Sequence, residues 1–316
     1  MSNIEKDLVS VGIPTYNRPE ELSSAIELIL NQTYENIEVI VSDNKSERSE
    51  EVKKIVSKFQ SSDNRIRFFQ QETNIGSIGN FKFVLGKATA DYFMWAADDD
   101  ELEPNYIEAL MDKLTSEKGS IFVVSGYDVV DRMKEPVIKT DFTQYLFDIP
   151  GGTPFERMSN YVRQPDYQGK SKILWGIHRI STLREAFDEV FVGLPERSNI
   201  TWAELPVEFR LLAKGNLSIV PDVLFHANLL PSSEGLREGE LFNKREVEIC
   251  RRSYDAYRRA VESSIQLSPK ERATLFRMLK KEELIVISRM VAFGAIKRLS
   301  PNLARNIKKI WMMLLK

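Results

Sequence analysis

Along the first 115 positions, short runs of apolar and β-branched residues alternate with segments whose apolar positions recur every three to four residues. "DLVSVGIP" (Asp7–Pro14) reads as a buried strand closed by its proline. Pro19, Glu20 and Glu21 then open a helix with proline in its first turn and acids at its positive end. Ala25, Ile26, Ile29 and Leu30 form its apolar stripe. The same reading predicts a strand at Ile37–Asp43, a helix at Glu51–Phe59, and a strand at Ile66–Gln70. A glycine turn opens a third helix within "NIGSIGNFKFVLGKA", "DYFMWA" is a fourth strand, and Pro104–Leu114 is a fourth helix.

The pattern loosens afterwards. "SIFVVSGYDVVD" and "KILWGIHRI" read as strands, "DIPGGTPFERM" as a turn entering a helix, and "AELPVEFRLLAKGN" as a helix ended by Gly215. "LSIVPDVLFHANLL" resembles a further strand pair. From about Gly239 the chain becomes helical and charged: Glu240–Ser264, then Pro269–Arg298 capped by Ser268, then Asn302–Lys316. Strands alternating with helices predict an α/β fold with a mainly parallel sheet covered on both faces. The predicted organisation is one domain over 1–238, with halves meeting near 115/116, and a helical extension over 239–316.

Composition narrows the function classes. The chain has 316 residues, 42% hydrophobic and 28% charged, with a net charge of −2, and so lacks the cationic surplus of a general nucleic-acid binder. Cys250 is the single cysteine, so no internal disulfide forms, and a reducing, cytoplasmic setting is the expectation. The opening "MSNIEKDLVSV" has no basic start with an apolar core, and no apolar run reaches the ~20 residues of a spanning helix. No acidic residue follows Leu284, while Arg289, Lys297, Arg298, Arg305, Lys308, Lys309 and Lys316 are basic. Ile307, Ile310, Trp311 and Leu314 recur at helical spacing. Such a helix suits the surface of an anionic membrane, its own domain, or a second subunit of a homodimer.

In parallel sheets ligands collect at the carboxyl ends of the strands. Pro14-Thr15-Tyr16-Asn17, Asp43-Asn44 and Asp98-Asp99-Asp100 all fall just after predicted strands, and therefore share one rim. Clustered carboxylates repel one another and suit a hard divalent cation shared with phosphates. The plainer account of "DDDE" is a solvated loop leading into a helix. Tyr16 can offer a flat ring to a base, and Asp43 can accept from a ring imide N–H, which favours uracil or thymine; a buried tyrosine and a turn-forming "SDN" are the alternatives.

Together these segments resemble the GT-A fold glycosyltransferases of family 2, over about the first two-thirds of the chain. "VSVGIPTYNRPEELSSAIELILNQTYENIEVIVSDN" is similar to the family's opening, and "NIGSIGNFKFVLGKATADYFMWAADDDELEPNYIEAL" to the stretch that carries its D-x-D element. The resemblance implies that Pro14, Thr15 and Tyr16 line a base pocket, that Asp43 holds a pyrimidine, and that Asn80 lies near the nucleotide. It implies Asp98 near ribose and metal, Asp99 beside the donor, and Asp100 as a direct ligand of Mn²⁺ or Mg²⁺. Many relatives read D-x-D-D, and Ala97 stands at their first aspartate, so which two of Asp98, Asp99 and Asp100 hold the metal stays open. In "WAELPVEFRLLAKG", Arg210 and Gly215 match the family's R-x-x-x-x-G helix end, and Glu204 falls on its catalytic acid. Ala203 replaces the preceding acid, and glutamate the usual aspartate; an ordinary helix N-terminal acid is the other account of Glu204.

His178 and His226 are the only histidines, and both read as half-buried residues without chemistry. The best match to a histidine that relatives use as an extra ligand falls on Asn228. The implied activity is metal-dependent, inverting transfer of one sugar from a UDP- or dTDP-sugar to a glycan or lipid-linked saccharide, in cell-surface polysaccharide or lipopolysaccharide assembly. Processive relatives carry a Q-x-x-R-W element that this sequence lacks. The rival classes are a sugar-phosphate nucleotidyltransferase and a glycan- or nucleotide-binding module without turnover. The nucleotidyltransferase is disfavoured because "GIPTYNRPEEL" has only Arg18 and no glycine run. Dinucleotide redox chemistry is disfavoured because no G-x-G-x-x-G follows the first strand.

Overall fold

A computed structural model describes residues 6–147, 149–164, 170–191, 201–229 and 244–299. The first half follows the hydrophobic pattern closely. It runs β1 (Val9–Thr15), α1 (Pro19–Leu30), β2 (Ile37–Asp43), α2 (Ser49–Gln60), β3 (Ile66–Gln70), α3 (Gly76–Lys87), β4 (Tyr92–Trp95) and, after the two-residue β5 (Glu101–Leu102), α4 (Tyr106–Ser116). Then come β6 (Ser120–Asp131), β7 (Ile138–Asp141), α5 (Thr143–Leu146), α6 (Pro154–Arg163), a 3₁₀ turn (Lys170–Trp175), β8 (Ile177–Arg179) and α7 (Ile180–Phe191). The last described elements are α8 (Thr201–Lys214), β9 (Asn216–Leu229), α9 (Lys244–Ser263) and α10 (Pro269–Leu299).

The strands form one sheet in the order β3-β2-β1-β4-β8-β6-β9-β5, with β7 paired to β6. Strands β3, β2, β1 and β4 are parallel, β8 enters antiparallel between β4 and β6, and β6 pairs parallel with β9. Every residue of β2 is buried, Glu38 included, because Ser10 Oγ, the Thr89 N–H and Arg67 supply donors to its carboxylate. Gly12 lets α3 lie directly on β1: a Cβ there would come within 2.8 Å of Val84 and Phe93.

Three parts of the second half differ from their sequence reading. "KILWGIHRI" is not one strand, since Lys170–Trp175 winds into a 3₁₀ turn and only Ile177–Arg179 pairs. The expected strand pair at 217–230 is a single strand through Leu229, whose register with β6 shifts where Pro221 and Asp222 bulge out. Proline has no N–H for the ladder, so the chain bulges there rather than turning back. Helix α7 follows β8 with no break.

The apolar interior is continuous from β1 to α10: Cys250, Tyr254, Val261, Leu275 and Met290 join the same cluster as Val11 and Trp95. Helix α10 begins at the expected cap, where Ser268 Oγ accepts from the Glu271 N–H and Glu271 returns a bond to Ser268. Among the described residues no helix is long and apolar enough to cross a membrane. The basic helix expected over Asn302–Lys316 lies outside the described residues.

Candidate functional site

The ends of β1, β2 and β4 do share a rim, and hydrogen bonds lace it together. Asn17, after β1, adopts a left-handed backbone (φ 57°), which asparagine tolerates. Its N–H donates to Ser46 Oγ, and its Oδ1 accepts from the Glu47 N–H across the β2 loop. Thr15 Oγ1 donates to Asp98 Oδ2 at 2.9 Å, tying β1 to the aspartates. Tyr16 is 43% exposed at this rim, leaving a ring face for a flat ligand.

Asp43 is wholly buried and accepts from the Ser46 N–H, Ser46 Oγ and Ser49 Oγ. A carboxylate has about four acceptor positions, so one remains for an incoming donor. Asn80 turns inward: its amide donates to the Ser42 carbonyl and accepts from Ser42 Oγ, bracing α3 against the end of β2. Pro14 is the half-buried residue before Thr15.

The positive charge that the three aspartates require comes from the chain itself. Arg18 Nη1 donates to Asp98 at 2.8 Å and to Asp99 at 3.0 Å. Asp98 is nonetheless pushed up to about 6 by burial, against the opposing pull of Arg18. Asp100 keeps some surface, but its carboxyl is crowded by protein, which raises it in the same direction; Lys172 pulls it back. Its Oδ1 accepts the Asn228 N–H at 2.9 Å, while the Asn228 side chain bonds the Asp99 carbonyl and Glu101. So Asn228 does meet the aspartate loop. His226 does not: it stands half-buried between Asp128 (2.7 Å) and Glu103 (3.1 Å). His178 is fully buried rather than half-buried.

Hard oxygen donors on one loop fit a divalent cation, and the raised carboxyls show charge that burial leaves poorly compensated. Asp98 and Asp100 are the residues that would hold it. Among the described residues no cluster of three or more His, Cys, Asp or Glu side chains is arranged to hold an ion.

Glu204 is buried near the start of α8. One turn on, Glu208 is completely buried and raised well above the ordinary carboxylate range by that burial, with the neighbouring Glu204 charge adding to it. Its donors are Tyr161 Oη at 2.5 Å and the Leu174 N–H at 3.0 Å. Leu174 belongs to the 3₁₀ turn that also carries Lys172, so the turn that bonds α8 through Glu208 also brings a positive charge to bear on Asp100. Gly176 seats the turn against β6, since a Cβ there would lie 2.0 Å from the Val123 carbonyl. Arg18, Lys172, Tyr161 and Glu208 were not singled out from sequence as site residues. Only an arginine just after the strand, opposite three acids, could have signalled one of them.

Residues 10–191 match the model of the family described as glycosyl transferase family 2. The chain belongs to this family. A β-1,3-glucosyltransferase acting on GalNAc(5)-diNAcBac-PP-undecaprenol, from Campylobacter jejuni, is 36% identical to this family 2 member over 115 residues. That match covers 36% of this chain and 37% of the relative. Glycosyltransferase GlyG of Streptococcus pneumoniae is 34% identical over 122 residues, 38% of this chain and 39% of its own. The chain thus spans little more than a third of these curated relatives. Among solved structures, S. aureus TarS 1-349 in complex with UDP-GlcNAc aligns with a TM-score of 0.64 at 15% identity, over 87% of this chain and 72% of that one. The Pyrobaculum calidifontis mannosyltransferase PcManGT, in complex with GDP-Man and Mn²⁺, aligns at 0.52 and 13%, over 98% and 81%. These alignments establish the fold, a GT-A-type mixed sheet with flanking helices and further helices at its C-terminal end.

Proposed function

We propose that this family 2 member transfers a single sugar from a nucleoside-diphosphate donor, UDP- or dTDP-linked, to a hydroxyl of a glycan or lipid-linked saccharide, with inversion. The observation that carries the reading is the meeting of Tyr16, Asp43 and the Asp98–Asp100 loop on one rim, with Thr15 bonded to Asp98. Tyr16 stacks the base beside Pro14 and Thr15, and the remaining acceptor position of Asp43 takes the imide N–H. Asn80 holds the strand end behind them.

Asp98 and Asp100 would hold a divalent cation, Mn²⁺ or Mg²⁺, which would supply charge neutralisation for the departing diphosphate. Glu204 accepts the proton of the acceptor hydroxyl as its oxygen bonds to the anomeric carbon. The bond from that carbon to the phosphate oxygen breaks, and its electron pair leaves with the nucleoside diphosphate. The undecaprenol-linked relative supports a lipid-linked acceptor, and with it a role in cell-surface polysaccharide or lipopolysaccharide assembly at the inner face of the membrane. A basic C-terminal segment would aid contact with that surface.

Release of nucleoside diphosphate from a panel of UDP-, dTDP- and GDP-sugars, with and without Mn²⁺, tests the proposal. Cation-dependent release with one donor, accelerated by a saccharide acceptor, is expected. Donor binding with no release under any acceptor would instead favour a binding module, the rival that the altered acid pair in the first turn of α8 suggests.

A further inference from the structure

We propose that Lys172 is the cation that recognises the β-phosphate of the bound nucleoside diphosphate; this rests on the donor reading above. Lys172 lies on the 3₁₀ turn Lys170–Trp175 and is half-buried. Among the described residues its ammonium has neither an ion-pair partner nor a hydrogen bond. It rests over two aromatic rings instead, 5.9 Å from the centroids of both Trp175 and Phe225. Its ammonium keeps contact with solvent and is committed to no oxygen acceptor, so an anionic ligand reaching this turn meets an available positive charge.

The surroundings say which ligand. Phe225 pairs with Leu102, two residues past Asp100, and lies three residues before Asn228, whose N–H holds Asp100. With Tyr106 and Phe225, Lys172 lines a small cavity whose other walls are Val124, Ser125, Tyr127 and Leu146. Arg18 is engaged by Asp98 and Asp99, whereas Asp100 has no ion pair among the described residues. A nucleoside diphosphate brings about three negative charges to a loop that already holds three carboxylates against Arg18, so even with a divalent cation bound a further positive charge beside the loop lowers the remaining excess. A lysine is suited to that part: a compact charge on a flexible stem can leave a weak contact with two rings for a charge-assisted bond to phosphate.

The consequence is specific to the second phosphate. Calorimetry on the full chain with UDP and with UMP, in Mg²⁺ and again in EDTA, compares wild type with Lys172→Met, which keeps the aliphatic stem, and Lys172→Arg, which keeps the charge. We expect Lys172→Met to weaken UDP by at least about tenfold while UMP changes by less than about threefold. Lys172→Arg restores most of the difference, and the loss persists in EDTA. Equal weakening of UDP and UMP, or none, overturns the assignment and leaves Lys172 as a packing residue. If Lys172→Met fails to unfold cooperatively, Lys172→Gln takes its place in the same comparison: a selective loss of UDP affinity supports the assignment, and an unchanged ratio of UDP to UMP affinity overturns it. Wild-type protein that binds none of UDP, dTDP and GDP overturns the donor reading itself, and this inference with it.

Discussion

At the end of β4, Asp98 and Asp99 share the guanidinium of Arg18, and the Lys172 charge acts on Asp100. On α8, Glu208 meets only uncharged donors, the Tyr161 hydroxyl and the Leu174 N–H, and burial drives its carboxyl toward the neutral form. His178 sits nearby in the same condition, wholly buried and lowered to about 4 by that burial. Burial raises the carboxyls of both regions, but in the first the opposing pull comes from Arg18 and Lys172, and in the second chiefly from the Tyr161 hydroxyl, with Lys170 adding less. The first arrangement suits a site that must receive a charged ligand. The second suits a frame that must hold Glu204 in place while that ligand comes and goes.

The largest expected effect separates binding from chemistry. Asp100→Asn should lower transfer by about 10²- to 10⁴-fold together with cation-dependent donor binding, and Glu204→Gln should lower transfer as much while donor binding survives. Single-turnover kinetics alongside calorimetry reads the difference. Full transfer by Glu204→Gln would place the base elsewhere than α8.

Next in size is the frame itself. Glu208→Ala deletes a buried side chain and strands two donors, so a loss of about 4 kcal/mol in urea unfolding is expected. Glu208→Gln keeps the volume and an uncharged acceptor, and should stay within about 1 kcal/mol of wild type. A large loss in Glu208→Gln, comparable to that of the alanine variant, would mean that a charged carboxylate is needed there.

This contrast also explains what could be read from the sequence. Pro14-Thr15-Tyr16, Asp43 and the aspartates lie at the ends of strands whose β-branched runs leave no doubt about register, so the rim followed from pattern alone. Arg18 was visible as a residue, but its role is an 80-position contact that only the fold creates. The frame was harder. Lys170–Trp175 carries the apolar content of a strand, and it winds into a 3₁₀ turn because Glu208 and His178 capture the two polar groups of the Leu174 residue. Glu208 is 34 positions away, and His178, four positions on, reaches back only because the chain has already wound into the turn.

His178 gives the frame a pH signature. Its Nε2 donates to the Leu174 carbonyl at 3.0 Å, its ring stacks on Phe122, and Nδ1 has no partner. A proton added at Nδ1 would be a buried charge without an acceptor, so the folded protein disfavours it. With a folded value of about 4 against 6.5 when exposed, the stabilisation is complete above pH 6.5 and is lost as pH falls through 4. The difference amounts to roughly 3 kcal/mol over that window. Urea unfolding at pH 7.5 and 4.5 should show a smaller drop for His178→Gln than for wild type, and parallel drops would exclude the histidine as the source.

The smallest expected effect tests the charged region where it is most evenly balanced. Arg18→Met keeps the length of the side chain but removes the cation shared by Asp98 and Asp99. Without added metal, unfolding should become easier by about 1–2 kcal/mol, since two partly buried carboxylates lose their charged donor. The same change removes a positive neighbour that opposes a divalent cation, so the aspartates become the better ion site once Mn²⁺ is present. The variant should therefore gain more in Tm than wild type when Mn²⁺ is added, recovering part of what it lost. Equal gains in the two proteins would mean that Arg18 and the cation do not share these carboxylates. The ion would then have to be held away from Asp98, by Asp100 and groups other than its immediate neighbours.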